Sequence, residues 1–414
     1  MKVLVISNNF LSDSLNNGKT LKYLLSNYKD EDLFWVYSTP LAQDLNCNIS
    51  RVLVSPFAAK LIVSGKKNKI IKTVTRNTEA KNLISSVKKL IKVLSQFSLF
   101  LNFMKLSRDL IYLSRYCFYY NFILAECKKN NIEKILFVAG DFVFFHKLAK
   151  NLSFSLNIPL NVFVTDDYLL KYRPGKKYAF RKGVFNKLLL KNFENTISLS
   201  TVNYFISDKM RAVYHKVFGV DGYISFNATN FKHPLEPIKK HPEKSIVRYF
   251  GSLHSGRDSA LVDLLRLAML FNESNKNQVF FEIYSGHNIA VEKFKEFPTP
   301  LVTFMTTLTG ADYQKALIEA DALILLESYK VSDLQNTWLS FSTKVLEYLN
   351  SKNNIIAYGP MENPSIHELV SNNAAIYIDN YEKFSFLFSL DARGEISRNS
   401  EDVRKKLLNK NKLF

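Results

Sequence analysis

The residue types best suited to chemistry fall late in the chain, in Ser340-Phe341-Ser342-Thr343-Lys344-Val345-Leu346-Glu347-Tyr348-Leu349. A helix starting near Thr343 puts Lys344 and Glu347 on one face, three positions apart. A cation at the positive N-terminus of a helix suits a diphosphate, and a carboxylate one turn on suits the two hydroxyls of a ribose. The same pair also reads as a surface ion pair, worth under about 1 kcal/mol. Ile355-Ile356-Ala357-Tyr358-Gly359-Pro360 then supplies a strand and a glycine turn at the same edge.

Upstream, Arg248-Tyr249-Phe250-Gly251-Ser252-Leu253-His254-Ser255-Gly256-Arg257 reads as a strand and its loop. Gly251 and Gly256 permit tight backbone, the amides around Ser252 can face a phosphate, and Arg257 can pair with it. Asp166 and Asp167 close the run Leu160 to Val164. Two carboxylates at a strand's C-terminal edge suit base or substrate-hydroxyl duty, and also capping of a following helix. Asn16-Asn17-Gly18-Lys19-Thr20 resembles the end of a phosphate-binding loop, but the position of its first glycine is Asp13. A nucleotide-hydrolysing loop is therefore excluded. Gly18 and Lys19 then read as a strand-to-helix loop contacting a ligand, or as a plain helix entry.

These residues need a scaffold. Continuous apolar or aromatic runs occur at Val3 to Ile6, Leu33 to Tyr37, Ile135 to Val138, Leu160 to Val164 and Tyr204 to Ile206. They restart at Ile246 to Phe250 and recur at Val279 to Tyr284, Ala322 to Leu326, Ile355 to Tyr358 and Ala375 to Ile378. Such runs read as parallel strands covered on both faces by the helical stretches between them. Pro234, Pro237 and Pro242 mark a linker between the two series. The expected architecture is α/β, with two tandem Rossmann-like domains at 1–228 and 246–414 and a linker at 229–245.

The chain has 414 residues, 56 Lys and Arg against 37 Asp and Glu, a net charge of +19, and 47% apolar residues. That excludes a disordered chain, and 13 Gly with 11 Pro exclude a collagen-like fibre. Cys47, Cys117 and Cys127 are too few and scattered for a disulfide framework or a zinc site. The most lipid-like stretch, Leu110 to Ala125, is too short to span and contains Arg115. The N-terminus lacks the longer apolar core of a signal peptide.

From Lys60 to Arg115 thirteen basic residues face only Glu79 and Asp109, a net +11. Leu83, Ile84, Val87, Leu90, Ile91 and Leu94 recur there at helical spacing with lysines between them, ahead of the aromatic-rich Phe97 to Phe103. This reads as a helical basic insertion in the first domain. It is either a solvated lysine face or a surface for anionic lipid.

With these residues in view, the chain resembles bacterial GT-B glycosyltransferases of the retaining kind that build capsule, O-antigen and other surface polysaccharides. The likeness rests on Val3 to Asn9 with Gly18-Lys19 as an acceptor-side loop and on Gly251-Ser252-Leu253 with Arg257 as a donor-diphosphate loop. It also rests on Phe205-Ile206-Ser207-Asp208-Lys209-Met210 with Tyr214 and Phe218-Gly219, and on Phe341 to Leu349 through Gly359-Pro360 as the donor-binding helix and following strand. The resemblance implies that Glu347 holds the ribose and that Arg257 and Lys344 hold the leaving diphosphate. The paired carboxylates at the strand end, Asp166 and Asp167, are the candidate catalytic acids on their own chemistry and not through the resemblance.

It further implies a nucleotide-diphosphate sugar as donor substrate, no cofactor and no metal. The acceptor would be lipid-linked or a polysaccharide, and the basic stretch from Lys60 to Arg115 would make the enzyme peripheral on the cytoplasmic face of the cell membrane. Many retaining members carry a second glutamate eight positions before the ribose-binding one. Here that position is Leu339, and Glu327 is more distant. An inactive scaffold of the same fold is therefore one alternative. A basic nucleic-acid-binding protein is another, although no nucleic-acid module is recognisable.

Overall fold

The computed structural model describes residues 1–8, 16–38, 49–54, 98–173, 177–226, 243–286, 291–412 and 414. It divides into two compact units. The first comprises Met1–Leu170, Phe180–Phe205 and Ala212–Tyr223. The second comprises Lys171–Ala179, Ile206–Arg211 and Ile224–Phe414.

The first unit is built on a seven-stranded sheet in the order β3-β2-β1-β4-β5-β8-β9. Its strands are β1 (Val3–Ser7), β2 (Leu33–Tyr37), β3 (Ser50–Leu53), β4 (Lys134–Ala139), β5 (Leu160–Val164), β8 (Val202–Phe205) and β9 (Tyr223–Ile224). A short hairpin, β6 (Leu170–Arg173) and β7 (Lys177–Phe180), leaves the end of β5. Every residue of β1 and β2 is buried, as an unbroken apolar run covered on both faces requires. The order reverses at β1 and β4, which pair in parallel, and such a reversal opens a crevice at the strands' carboxyl ends. There Gly140 lies so close to Asn8 that a Cβ on it would sit 2.8 Å from the Asn8 amide nitrogen.

Helices cover this sheet. Val143–Leu156 buries Val143, Phe144, Phe145, Leu148, Ala149 and Leu152. Tyr112 and Tyr116, on either side of the break between the helices Ser98–Ser114 and Tyr116–Lys129, meet the rings of Phe142 and Phe144 edge-on. The apolar stretch Leu110 to Ala125 is thus divided between two helices, and among the described residues no helix is long and apolar enough to cross a membrane.

The second unit repeats the theme in six strands ordered β12-β11-β10-β13-β14-β15. They are β10 (Lys244–Phe250), β11 (Gln278–Tyr284), β12 (Val302–Met305), β13 (Ala322–Leu326), β14 (Asn354–Tyr358) and β15 (Ile376–Tyr377). Neighbouring strands pair in parallel throughout, and the reversal falls at β10 and β13. The helix Arg257–Ser274 packs on this sheet through Leu261, Leu264, Leu265, Ala268 and Phe271, a helical stripe.

Five strands, β3, β6, β7, β9 and β12, lie outside the apolar runs legible in the sequence. β12 alternates buried and exposed residues as an edge strand does, and β9 is two residues long. Residues 55–97, with most of the basic insertion, and 227–242, with most of the linker, lie outside the described residues.

Candidate functional site

In the second unit β10, β13 and β14 bring their carboxyl ends together, and Gly251, Lys344 and Glu347 are placed there. Gly251 follows β10 with φ +132°, and a Cβ at this position would lie 2.2 Å from Nζ of Lys344. A side chain here would displace that amine, and the positive φ favours glycine besides. Lys344 opens the helix Lys344–Ser351, and its ammonium stands 4.8 Å from the ring centroid of Tyr249. An ammonium beside a positive helix end has the chemistry to hold an anion, and the Tyr249 π-face offsets part of the cation's desolvation.

Glu347 lies one turn further on the same helix and is buried. Its Oε2 accepts from the hydroxyl of Tyr313 at 2.5 Å. Burial, then the Glu347 charge, push the Tyr313 hydroxyl well above its ordinary range, so it stays a neutral donor. Tyr313 sits edge-on to Phe250 with centroids 5.1 Å apart, and Phe250 stacks on Tyr284 at 4.7 Å. Beneath this group Arg248 Nε donates to Glu282 Oε2 at 2.6 Å and Nη1 to the Ala316 carbonyl at 2.7 Å. Arg248 and Glu282 are register partners on β10 and β11, and Ala316 lies on the helix Gly310–Glu319 that carries Tyr313. The Arg248–Ala316 hydrogen bond therefore ties the Tyr313 helix to the sheet. In the sequence Tyr313 is one of 21 tyrosines with no local signal to distinguish it.

Arg257, expected to pair with a phosphate, has two of its nitrogens engaged by protein groups. Its Nη2 donates to both oxygens of Glu327, at 2.9 and 3.0 Å, and its Nε to the Leu326 carbonyl at 3.1 Å. Burial works against the guanidinium charge, but Glu327 outweighs it and the net shift is upward. Gly256, at φ +74°, packs so closely that a Cβ would lie 2.0 Å from Asp333 Oδ2. Gly359, at φ +152°, leaves 2.8 Å between such a Cβ and that of Glu327. Ser252 turns into its own loop, its carbonyl accepting from the Tyr249 hydroxyl at 2.7 Å and its Oγ from the His254 amide at 3.1 Å.

In the first unit the two adjacent acids part company. Asp167 is buried, and its Oδ1 accepts from the Leu169 and Leu170 amides at 3.1 and 3.0 Å and from the Tyr214 hydroxyl at 3.1 Å. Burial raises its carboxyl above the usual range. It caps the turn into β6, where the sequence suggested a helix, and so organises the loop. Asp166 is half-buried, accepts from the Tyr168 hydroxyl at 3.4 Å, and walls a small cavity with Gly140, Tyr168 and Tyr214.

Gly18 and Lys19 lie within the first turn of the helix Asn16–Leu24. Residues 9–15 lie outside the described residues. Of the thirteen basic residues from Lys60 to Arg115, Lys105, Arg108 and Arg115 fall within them. Lys105 Nζ meets Asp141 Oδ2 at 2.7 Å. Arg108 donates to the Asp141 carbonyl at 2.7 Å and lies 4.6 Å from the Phe142 ring centroid. These two cations are turned to an acid beyond the basic stretch.

No family model matches the chain, and no curated protein matches it in sequence. Solved structures match in fold. A glycosyltransferase from Rickettsia africae ESF-5 aligns at TM-score 0.59 and 11% identity over 100% of this chain and 94% of its own. Anabaena HepE, solved in complex with UDP, aligns at TM-score 0.56 and 9% identity over 100% and 96%. The chain spans about half of a TarM chain, with 68% of this chain and 52% of that one aligned at TM-score 0.46 and 15% identity. The fold is thus that of the GT-B structures, two Rossmann-like domains in tandem.

Proposed function

We propose that the chain is a glycosyltransferase that takes its sugar from a nucleotide-diphosphate donor bound on the second unit. The observation that carries this reading is the seating of Lys344 Nζ against the Cα of Gly251, with Glu347 one turn along the same helix. In transfer the bond from the sugar's anomeric carbon to the diphosphate oxygen breaks and charge develops on that oxygen. A fixed ammonium lowers the barrier there. Glu347, oriented by Tyr313, accepts the ribose hydroxyls. That a similarly folded protein, HepE, was solved with UDP supports a nucleoside diphosphate as the ligand class.

Asp166 is the acid assigned to an acceptor hydroxyl, and Asp167 to holding the loop around it. The acceptor is a lipid-linked or polysaccharide chain in surface glycan synthesis of the capsule or O-antigen type, and the stereochemical outcome is retention. The basic stretch from Lys60 onward would hold the enzyme on the cytoplasmic membrane face.

The test is nucleotide binding by calorimetry and sugar transfer across a panel of nucleotide sugars, comparing wild type with Lys344→Ala and Glu347→Ala. Both variants are expected to lose about tenfold or more, the effect of one charge-assisted contact. Unchanged binding and turnover in both would remove the site. Binding without turnover in the wild type would favour a scaffold, and the product's anomeric configuration decides retention.

A further inference from the structure

The Arg257–Glu327 pair has more structure than an ion pair needs. An arginine that only neutralises a carboxylate usually presents two nitrogens to its two oxygens. Here one nitrogen, Nη2, serves both oxygens, and Nε is fixed separately by the Leu326 carbonyl. Those contacts fix the guanidinium plane and leave Nη1 over, which has no hydrogen-bond partner among the described residues. The Glu327 side chain is 6% exposed, whereas that of Arg257 is 23% exposed. The buried acid is therefore behind the cation. The surroundings admit little movement, because Gly359 lies against Glu327 and Gly256 against Ser328 and Asp333. The pair stands beyond the carboxyl ends of the adjacent strands β10 and β13, where the strand order reverses and an open parallel sheet binds ligands.

We propose that Glu327 is a positioning residue, which holds Arg257 so that Nη1 is presented to the diphosphate of the donor. The proposal rests on the donor-site reading above. Glu327 touches no substrate and acts through the guanidinium alone. Its substitution therefore has a ligand-specific signature. It weakens whatever the second phosphate contributes and leaves the nucleoside's own contacts intact.

The experiment measures calorimetric affinities of UDP, UMP and uridine for wild type, Glu327→Gln and Arg257→Lys, with thermal melts as a folding control and the other nucleoside diphosphates as alternative probes. Glu327→Gln is expected to weaken UDP about tenfold while UMP and uridine change less than about twofold. Arg257→Lys keeps a cation for Glu327 but has no second nitrogen to present. It is expected to give the same selective loss, and it carries the test should Glu327→Gln fail to fold. An equal loss for all three ligands, or no loss for UDP, overturns the positioning role. If wild type binds no nucleoside diphosphate of the panel, the donor-site reading falls and this proposal with it.

Discussion

The hydroxyl of Tyr313 donates to Oε2 of Glu347 at 2.5 Å, joining two helices that lie 34 positions apart in the chain. Among the described residues the partner of this carboxylate is a neutral phenol and not a cation. Its remaining oxygen is what a ribose would meet.

Tyr313→Phe removes that donor and keeps the ring against Phe250. A hydrogen bond to an ionised group contributes about 1.5–3 kcal/mol. Donor-nucleotide affinity should therefore fall roughly ten- to a hundredfold, with KM rising more than kcat falls, because the ribose contact serves ground and transition states alike. Steady-state kinetics on the donor read this directly. An unchanged KM would mean that Glu347 does not hold the nucleotide.

Gly251→Ala puts a Cβ where the Lys344 amine stands and also forces a side chain into φ +132°. The strain alone costs on the order of 1–3 kcal/mol. Gly219→Ala is the control, since Gly219 also has a positive φ, +68°, but nothing lies within 4 Å of its missing Cβ. Both variants should melt below wild type, and only Gly251→Ala should lose nucleotide affinity. Equal affinity in the two would separate the glycine from the anion site.

The parallel strands were legible because strands covered on both faces must be apolar throughout, as Val3 to Ser7 and Ala322 to Leu326 are. Lys344 and Glu347 were legible because helical spacing is local. Glu327 and Tyr313 were not, because what joins them to Arg257 and Glu347 is strand order and helix packing across 70 and 34 positions. No local pattern specifies that β13 lies beside β10. Asp167 was legible as an acid at a strand end. Its duty was settled by Tyr214, 47 positions on, and by the hairpin that follows it.

The membrane proposal distinguishes among lysines of one basic stretch. Lys105 is paired with Asp141, whereas Lys88, Lys89 and Lys92 sit in the amphipathic repeat. Each cation near an anionic surface contributes about 1 kcal/mol. Replacing those three by glutamine should weaken binding to phosphatidylserine-containing vesicles by roughly a hundredfold, and Lys105→Gln should leave it unchanged. Co-sedimentation at low and moderate salt decides it. Persisting binding in the triple variant sinks the proposal.

Stability should respond to pH through two buried groups on neighbouring parts of the first unit, Asp109 and His146, and in opposite senses. Burial pushes the Asp109 carboxyl up to about 6, against the pull of Arg108 and of the Phe144 amide. Burial takes the His146 ring down to about 4, with the Gly140 carbonyl pulling the other way. Because Asp109 binds its proton more tightly when folded, it favours the fold at low pH, and that contribution is lost as pH rises towards about 6. His146 binds its proton less tightly when folded, so its contribution is present above about 6.5 and is lost as pH falls through about 4. At about 1.4 kcal/mol for each unit, either group alone changes stability by about 3 kcal/mol. Between about pH 4 and 6 the two nearly cancel in the wild type. Asp109→Asn keeps an acceptor for the Phe144 amide and should leave stability rising with pH across that window. His146→Gln should leave it falling. Urea unfolding midpoints at half-unit pH steps measure both slopes, and curves parallel to wild type in both variants would show that neither group titrates as its burial requires.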